Sequence, residues 1–167
     1  MHMDDSLAAA DVVRGFEGPI VDVGSGGGAP GIPLAAALPD RAVTLLEANG
    51  RKCAFLREIA REFPNVEVVH GRAEEQGTDR FGVAVAKALA SPPVAAEWCL
   101  PLVAPGGAAL LYVGPSADAE AVSRVSERLG AGRAEELPGL LVLRKLERTP
   151  PGFPRRPGLA KKRPLVE

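Results

Sequence analysis

Soft metal ligands are scarce in this chain: two cysteines and two histidines in 167 residues. Cys53 and Cys99 stand far apart, each inside an apolar helical pattern, and only His2 and His70 are present to join them. A zinc site draws on closely spaced ligand pairs, so no metal is expected, and both thiols read as buried and reduced. Long apolar runs are also missing. Nothing approaches the roughly 20 residues that cross a bilayer, and no basic-then-apolar leader opens the chain, so a cytoplasmic location is expected. No internal repeat and no second domain is evident. An apolar fraction of 46% and a charged fraction of 25% match a single soluble globular core.

Net charge is nearly absent too, at −1, but the balance hides an asymmetry. Residues 1–143 hold 12 Lys or Arg against 19 Asp or Glu, a net of −7, and residues 144–167 hold 8 against 2, a net of +6. An acidic body thus ends in a basic segment, read as one globular domain over 1–148 followed by a basic, proline-rich tail over 149–167. The prolines and basic residues from Thr149 to Leu165 predict an extended, stiff segment rather than a helix. Arg155, Arg156, Lys161, Lys162 and Arg163 are its candidate contacts to RNA phosphates, with a merely solvated tail as the equal alternative.

What the chain does have is a glycine-rich turn between a strand and a helix. Ile20-Val21-Asp22-Val23 runs into Gly24-Ser25-Gly26-Gly27-Gly28-Ala29-Pro30-Gly31, and a helix opens near Ile32. Backbone amides in such a turn approach a ligand with no Cβ in the way. A phosphate-binding P-loop is excluded, because Gly31-Ile32-Pro33 replaces its Gly-Lys-Ser/Thr ending. A dinucleotide fingerprint is formally met by Gly26 to Gly31 with Glu47 downstream. Asp22 favours a different cofactor, S-adenosylmethionine, whose ammonium and sulfonium are drawn to an acid that would repel a pyrophosphate. A tight turn with no ligand is the third possibility.

The remaining pattern alternates strands and helices. Strands are expected at 20–23, 42–46, 66–69, 82–86 and 108–113, with helices between them, including one capped by Ser116, and two last strands meet at Pro138-Gly139. Alternation predicts a parallel, doubly wound α/β sheet, and the closing hairpin an antiparallel last strand, the architecture of class I S-adenosylmethionine-dependent methyltransferases. Ligands of such sheets sit beyond the carboxyl ends of the strands. Asp22, Gly24, Gly26 and Gly28 are therefore expected at the methionine portion of the cofactor, Glu47 at its ribose hydroxyls, and Ala73 and Glu74 near its adenine.

Absences also narrow the acceptor. The turn after the fourth strand, Ala88-Leu89-Ala90-Ser91-Pro92-Pro93, is not the Asn/Asp-Pro-Pro-aromatic turn suited to an exocyclic amine. Cys99 has no basic neighbour to make it the nucleophile of a pyrimidine C-methyltransferase. A ring nitrogen with a free lone pair, such as guanine N7, needs neither group, and no catalytic residue is named.

Asp22 to Leu34, Leu45 to Lys52 with Phe55-Leu56-Arg57, Gly71 to Glu75, Glu97 to Leu102 and the Thr149 to Leu165 tail together resemble the bacterial 16S ribosomal RNA guanine-N7 methyltransferases, also called glucose-inhibited division protein B. The resemblance covers nearly the whole chain. It implies S-adenosylmethionine as methyl donor, a guanine of small-subunit ribosomal RNA as acceptor, and Gly24, Ala29, Ala73, Glu74 and Lys87 at the cofactor. It also implies a helical front, of which His2, Asp5, Ser6 and Leu7 would be the end. Lys87 stands where the family has an arginine, and Val113 where it has a lysine. A relative that binds donor or RNA without transfer, and a small-molecule methyltransferase, remain the alternatives.

Overall fold

Buried β-branched and aliphatic runs set the frame. The computed structural model describes residues 2–166, with side chains from Ala8 to Val166. The sequence also predicts a short helix with Asp4, Asp5 and Ser6 as capping candidates and Leu7 on its apolar face, and the side chains of those four residues lie outside the described ones. Among the described residues seven strands form one sheet: β1 (Ile20–Val23), β2 (Val43–Glu47), β3 (Val66–His70), β4 (Phe81–Lys87), β5 (Val103–Tyr112), β6 (Glu135–Leu137) and β7 (Leu140–Arg144). Their order is β3-β2-β1-β4-β5-β7-β6. The first five are mutually parallel, while β7 runs antiparallel to both β5 and β6. A central parallel strand is covered on both faces, which is why β4 is apolar from Phe81 to Ala86 and β1 is apolar apart from Asp22.

The described residues form six α-helices: α1 (His2–Val13), α2 (Gly31–Ala37), α3 (Gly50–Ala60), α4 (Pro92–Cys99), α5 (Ala119–Arg128) and α6 (Leu159–Lys162), the last packed on α4. Alternate residues of β4 divide the core. Val83 and Val85 join Val13 of α1, Leu34 of α2 and Leu56 of α3 on one face. Ala84 and Ala86 join Ala96 and Cys99 of α4 and Val122 and Val125 of α5 on the other. Asn49 starts α3 by accepting from the backbone N–H groups of Arg51 and Lys52 at 3.0 and 3.1 Å, which satisfies two of the donors a helix start leaves open.

Three expectations are corrected. The fifth strand begins at Val103, not Ala108, because Val103 pairs with Phe81 before the register shifts and Ala108 pairs with Val83. Asp118, not Ser116, caps α5, its carboxylate accepting from Ala121 N at 3.0 Å. The segment from Thr149 is not an extended arm. It folds back, contains α6, buries Ala160 and packs Phe153, Leu165 and Val166 on the core around α4.

Polar contacts hold that return in place. Lys145 follows β7 and is fully buried, its ammonium donating to Leu100 O at 2.8 Å, Val103 O at 2.7 Å, Thr149 Oγ1 at 2.8 Å and Asp79 Oδ1 at 3.1 Å. Burial lowers the Lys145 pKa and the Asp79 carboxylate opposes that fall. Asp79 also accepts from the Thr149 backbone N–H at 3.1 Å. Further along, Arg155 forms a two-pronged pair with Glu97 of α4, at 2.7 and 2.6 Å, and donates to Arg163 O at 2.8 Å.

Candidate donor and RNA site

The carboxyl edges of β1, β2 and β4 open on a cavity of about 940 Å³. Val23 and the glycine turn from Gly24 to Gly27, with Ala29, contribute one side, and Leu46, Glu47, Ala48 and Lys52 another. Ala73 and Glu74 come from a single 3-10 turn after β3, while Lys87, Ala88 and Leu89 follow β4. Trp98 of α4 and Gly158 and Lys161 of the C-terminal segment complete the wall.

Two carboxylates shape the turn, and they divide the work differently from the expectation. Glu47 at the end of β2 accepts from Gly26 N and Asn49 N, both at 2.8 Å, one with each oxygen. It thereby ties the glycine turn to the start of α3 while still lining the cavity. A carboxylate has about four acceptor directions, so lone pairs remain for a ligand. Asp22 does not line the cavity. The side chain is 1% exposed, and its Oδ2 accepts from the N–H of Gly31 at 2.9 Å, pinning the start of α2 beneath the turn. A Cβ at Gly31 would collide with Leu45 and come within 2.7 Å of Asp22 Oδ2, so glycine is required for this approach.

Burial drives the Asp22 pKa up to about 7, with the Gly31 N–H opposing and the charge of Glu47 adding to the rise. Its second oxygen, Oδ1, is buried with no hydrogen-bond partner among the described residues. Asp22 therefore lies beneath the turn and not in the cavity wall, where the sequence reading put it. Gly28 is also buried and outside the cavity lining. Gly24, Gly26, Ala29, Glu47, Ala73, Glu74 and Lys87 line one cavity together.

The basic set is redistributed. Arg155 is engaged with Glu97 at 19% side-chain exposure, which removes its guanidinium from the RNA candidates. Arg156, Lys162 and Arg163 are exposed, and Lys161 is exposed while also lining the donor cavity. Reading the sequence missed Trp98 and Gly158. Trp98, in the cavity wall, carries a buried Nε1 donor with no partner among the described residues, and Gly158 N donates to Glu74 Oε2 at 2.9 Å. No local pattern announces a contact between residues 84 apart.

Among the described residues, no group of three or more His, Cys, Asp or Glu is placed to hold a metal, and no helix is long and apolar enough to cross a membrane. Cys53 and Cys99 are buried free thiols, and burial pushes the Cys99 pKa well up, away from nucleophilic reactivity.

A family model described as rRNA small subunit methyltransferase G matches residues 1–135. The chain belongs to the rRNA small subunit methyltransferase G family. It is 39% identical to the ribosomal RNA small subunit methyltransferase G of Pelotomaculum thermopropionicum, over 98% of this chain and 77% of that one. The protein of the same name from Acetivibrio thermocellus is 32% identical over 99% and 76%. Among solved structures, an S-adenosylmethionine-dependent O-methyltransferase of Thermotoga maritima is similar with a TM-score of 0.66 and 14% identity, over 88% of this chain and 67% of that one. TYW2 of M. jannaschii, solved in complex with AdoMet, gives 0.67 and 15%, over 85% and 72%. The fold of this family member is thus that of S-adenosylmethionine-dependent methyltransferases, as the strand alternation predicts.

Proposed function

We propose that this chain transfers a methyl group from S-adenosylmethionine to N7 of a guanine in small-subunit ribosomal RNA. Family membership carries the reaction, and the observation that carries the site is the Glu47-braced glycine turn facing the cavity at the switch between β1 and β4. When bound, the donor supplies a sulfonium methyl, and the N7 lone pair forms the new N–C bond as the S–C pair returns to sulfur, leaving a cationic base and no proton to remove.

The residues present fit that donor. Gly27 offers open space where a Cβ would stand, so turn amides can meet a carboxylate. Glu47 retains acceptor capacity for ribose hydroxyls, and the unpartnered Trp98 Nε1 donor suits one of the ligand's acceptors. Gly24, Gly26 and Ala29 hold the methionine end, with Ala73 and Glu74 at the adenine and Lys87 at the acceptor side. Asp22 and Gly28 act from below by fixing the turn. Because N7 needs no general base, catalysis rests on positioning, fixed dipoles and exclusion of water. Lys161 in the cavity wall and the exposed Arg156, Lys162 and Arg163 of the same segment present the phosphate-binding charge, and affinity for RNA then falls steeply with salt.

Mass spectrometry of 16S ribosomal RNA from a strain lacking the protein tests the reading: one N7-methylguanosine disappears and returns with the wild-type gene. An unchanged N7-methylguanosine content overturns it. Glu47→Gln sets an amide NH2 against one of the two backbone N–H groups now held by the carboxylate. Losing a hydrogen bond to a charged group costs about 1.5–3 kcal/mol, so the melting temperature falls by several degrees, and because the glycine turn is no longer braced the donor Kd rises about tenfold by titration calorimetry.

A further inference from the structure

A second cavity, of about 670 Å³, adjoins the first and shares Lys87 and Ala88 with it. Its other walls come from elements the donor site does not use. Ala8 of α1, Tyr112 at the end of β5, and Leu137 and Gly139 of the β6–β7 hairpin line it. We propose that this cavity seats the acceptor guanine, with the N7 edge turned toward the Lys87–Ala88 boundary and the base lying against Tyr112. The inference rests on the guanine-N7 reading above and assigns the place where the base is held and told from adenine.

Three observations converge on it. Position is the first: the cavity lies at the carboxyl edges of β4 and β5, separated from the donor cavity only by shared residues, as a base receiving a methyl must be. The backbone is the second. Ala88 holds φ at +53°, a left-handed conformation that side chains other than glycine rarely adopt and that concentrates at functional sites. It occurs at the junction of the two cavities.

Chemistry is the third. The walls are small and apolar, with one aromatic ring, which suits a flat heterocycle that gains from stacking. The Lys87 ammonium lies 5.7 Å from the centre of the Tyr112 ring, at the boundary the N7 edge would face. Guanine carries the O6 acceptor beside N7, whereas adenine carries an N6 donor there. An ammonium has only donors to give, so Lys87 accepts guanine and repels adenine at the same edge.

Two variants fill the cavity from different elements without burying new atoms in the core: Ala8→Trp on α1 and Leu137→Trp on the hairpin, both at exposed positions. The expected result is a donor Kd within twofold of wild type by calorimetry, with methyl transfer to small ribosomal subunits reduced at least tenfold in kcat/KM. A second readout does not depend on turnover. With S-adenosylhomocysteine present, guanosine 5′-monophosphate shifts the amide resonances of Gly139 and Leu140, adenosine 5′-monophosphate does so at least tenfold more weakly, and Ala8→Trp loses the response. Lys87→Met narrows the difference between the two nucleotides. Wild-type turnover and an unaltered nucleotide response in both Trp variants would overturn the proposal, as would nucleotide shifts confined to other surfaces. Failure of the wild-type chain to methylate subunits would instead count against the guanine-N7 reading, with the nucleotide titration still deciding the cavity.

Discussion

Arg155→Ala lowers stability by about 3–5 kcal/mol, the range for removing one partner of a buried ion pair and leaving the other charge uncompensated. Glu97 is the charge left behind, with a side chain 4% exposed and both oxygens now held by Arg155. For a domain of this size each kcal/mol moves the melting temperature by roughly 2–4 °C, so thermal unfolding shows a fall on the order of 10 °C. Adding Glu97→Gln to Arg155→Ala removes the stranded charge and recovers part of the loss. The donor Kd also rises, about tenfold, because the segment from Arg155 to Arg163 carries Gly158 and Lys161 into the donor cavity and Glu97 precedes Trp98 in the same wall. An arginine serving only RNA phosphates would behave otherwise. Its loss would leave melting and donor affinity unchanged and flatten the salt dependence of RNA binding. A melting temperature within 2 °C of wild type would refute the structural role.

This redefinition of the C-terminal segment marks where sequence reasoning stops. The frame from Ile20 to Glu75 is legible because its signals are local: short apolar runs and a glycine-rich turn between strand and helix. Glu47 is legible for the same reason, standing at the end of a buried strand. The tail is not. Its prolines and basic residues carry the local signature of an extended arm, and what folds it back is tertiary. Arg155 reaches Glu97, Gly158 reaches Glu74 and Thr149 reaches Asp79, contacts between residues 58, 84 and 70 apart. Asp79 itself sits at φ +55° in a turn, a conformation Asp tolerates better than most residues, and nothing in its neighbourhood points to a buried lysine 66 positions later.

Asp22 illustrates a subtler failure. That an acid at the end of β1 matters is readable; which way it points is not. A parallel strand buried on both faces has no polar side to betray the orientation of one residue. The acid faces α2, and the cation attraction first assigned to a contact has to act at one remove, through the turn. An acid held away from solvent beside a second carboxylate makes a sharper prediction than a surface contact would.

Stability falls as pH rises from about 4 to 7, and Asp22 is the cause. Its pKa is 3.8 when exposed and about 7 in the fold. Below pH 4 both states hold the proton and the site costs nothing. Between the two values the unfolded chain loses the proton while the fold retains it, so ionisation favours unfolding. At about 1.4 kcal/mol per pKa unit the full loss is roughly 4 kcal/mol, complete once pH passes 7. Asp79 titrates in the opposite sense, its pKa lowered in the fold against the opposing effect of burial by the Thr149 N–H and Lys145, so the comparison is with Asp22→Asn. That variant keeps an acceptor for the Gly31 N–H and carries no titrating group. The difference in unfolding free energy between the two proteins, measured by urea titration from pH 4 to 8, therefore changes by up to about 4 kcal/mol in favour of the variant. Donor binding reverses the direction at the same residue. A cation on the far side of the turn favours the carboxylate, so binding expels a proton near pH 7 and tightens as pH rises. Calorimetry in two buffers of different ionisation enthalpy counts that proton. Wild type releases a fraction of one and Asp22→Asn none; equal release from both proteins would show that Asp22 is not the group that senses the donor.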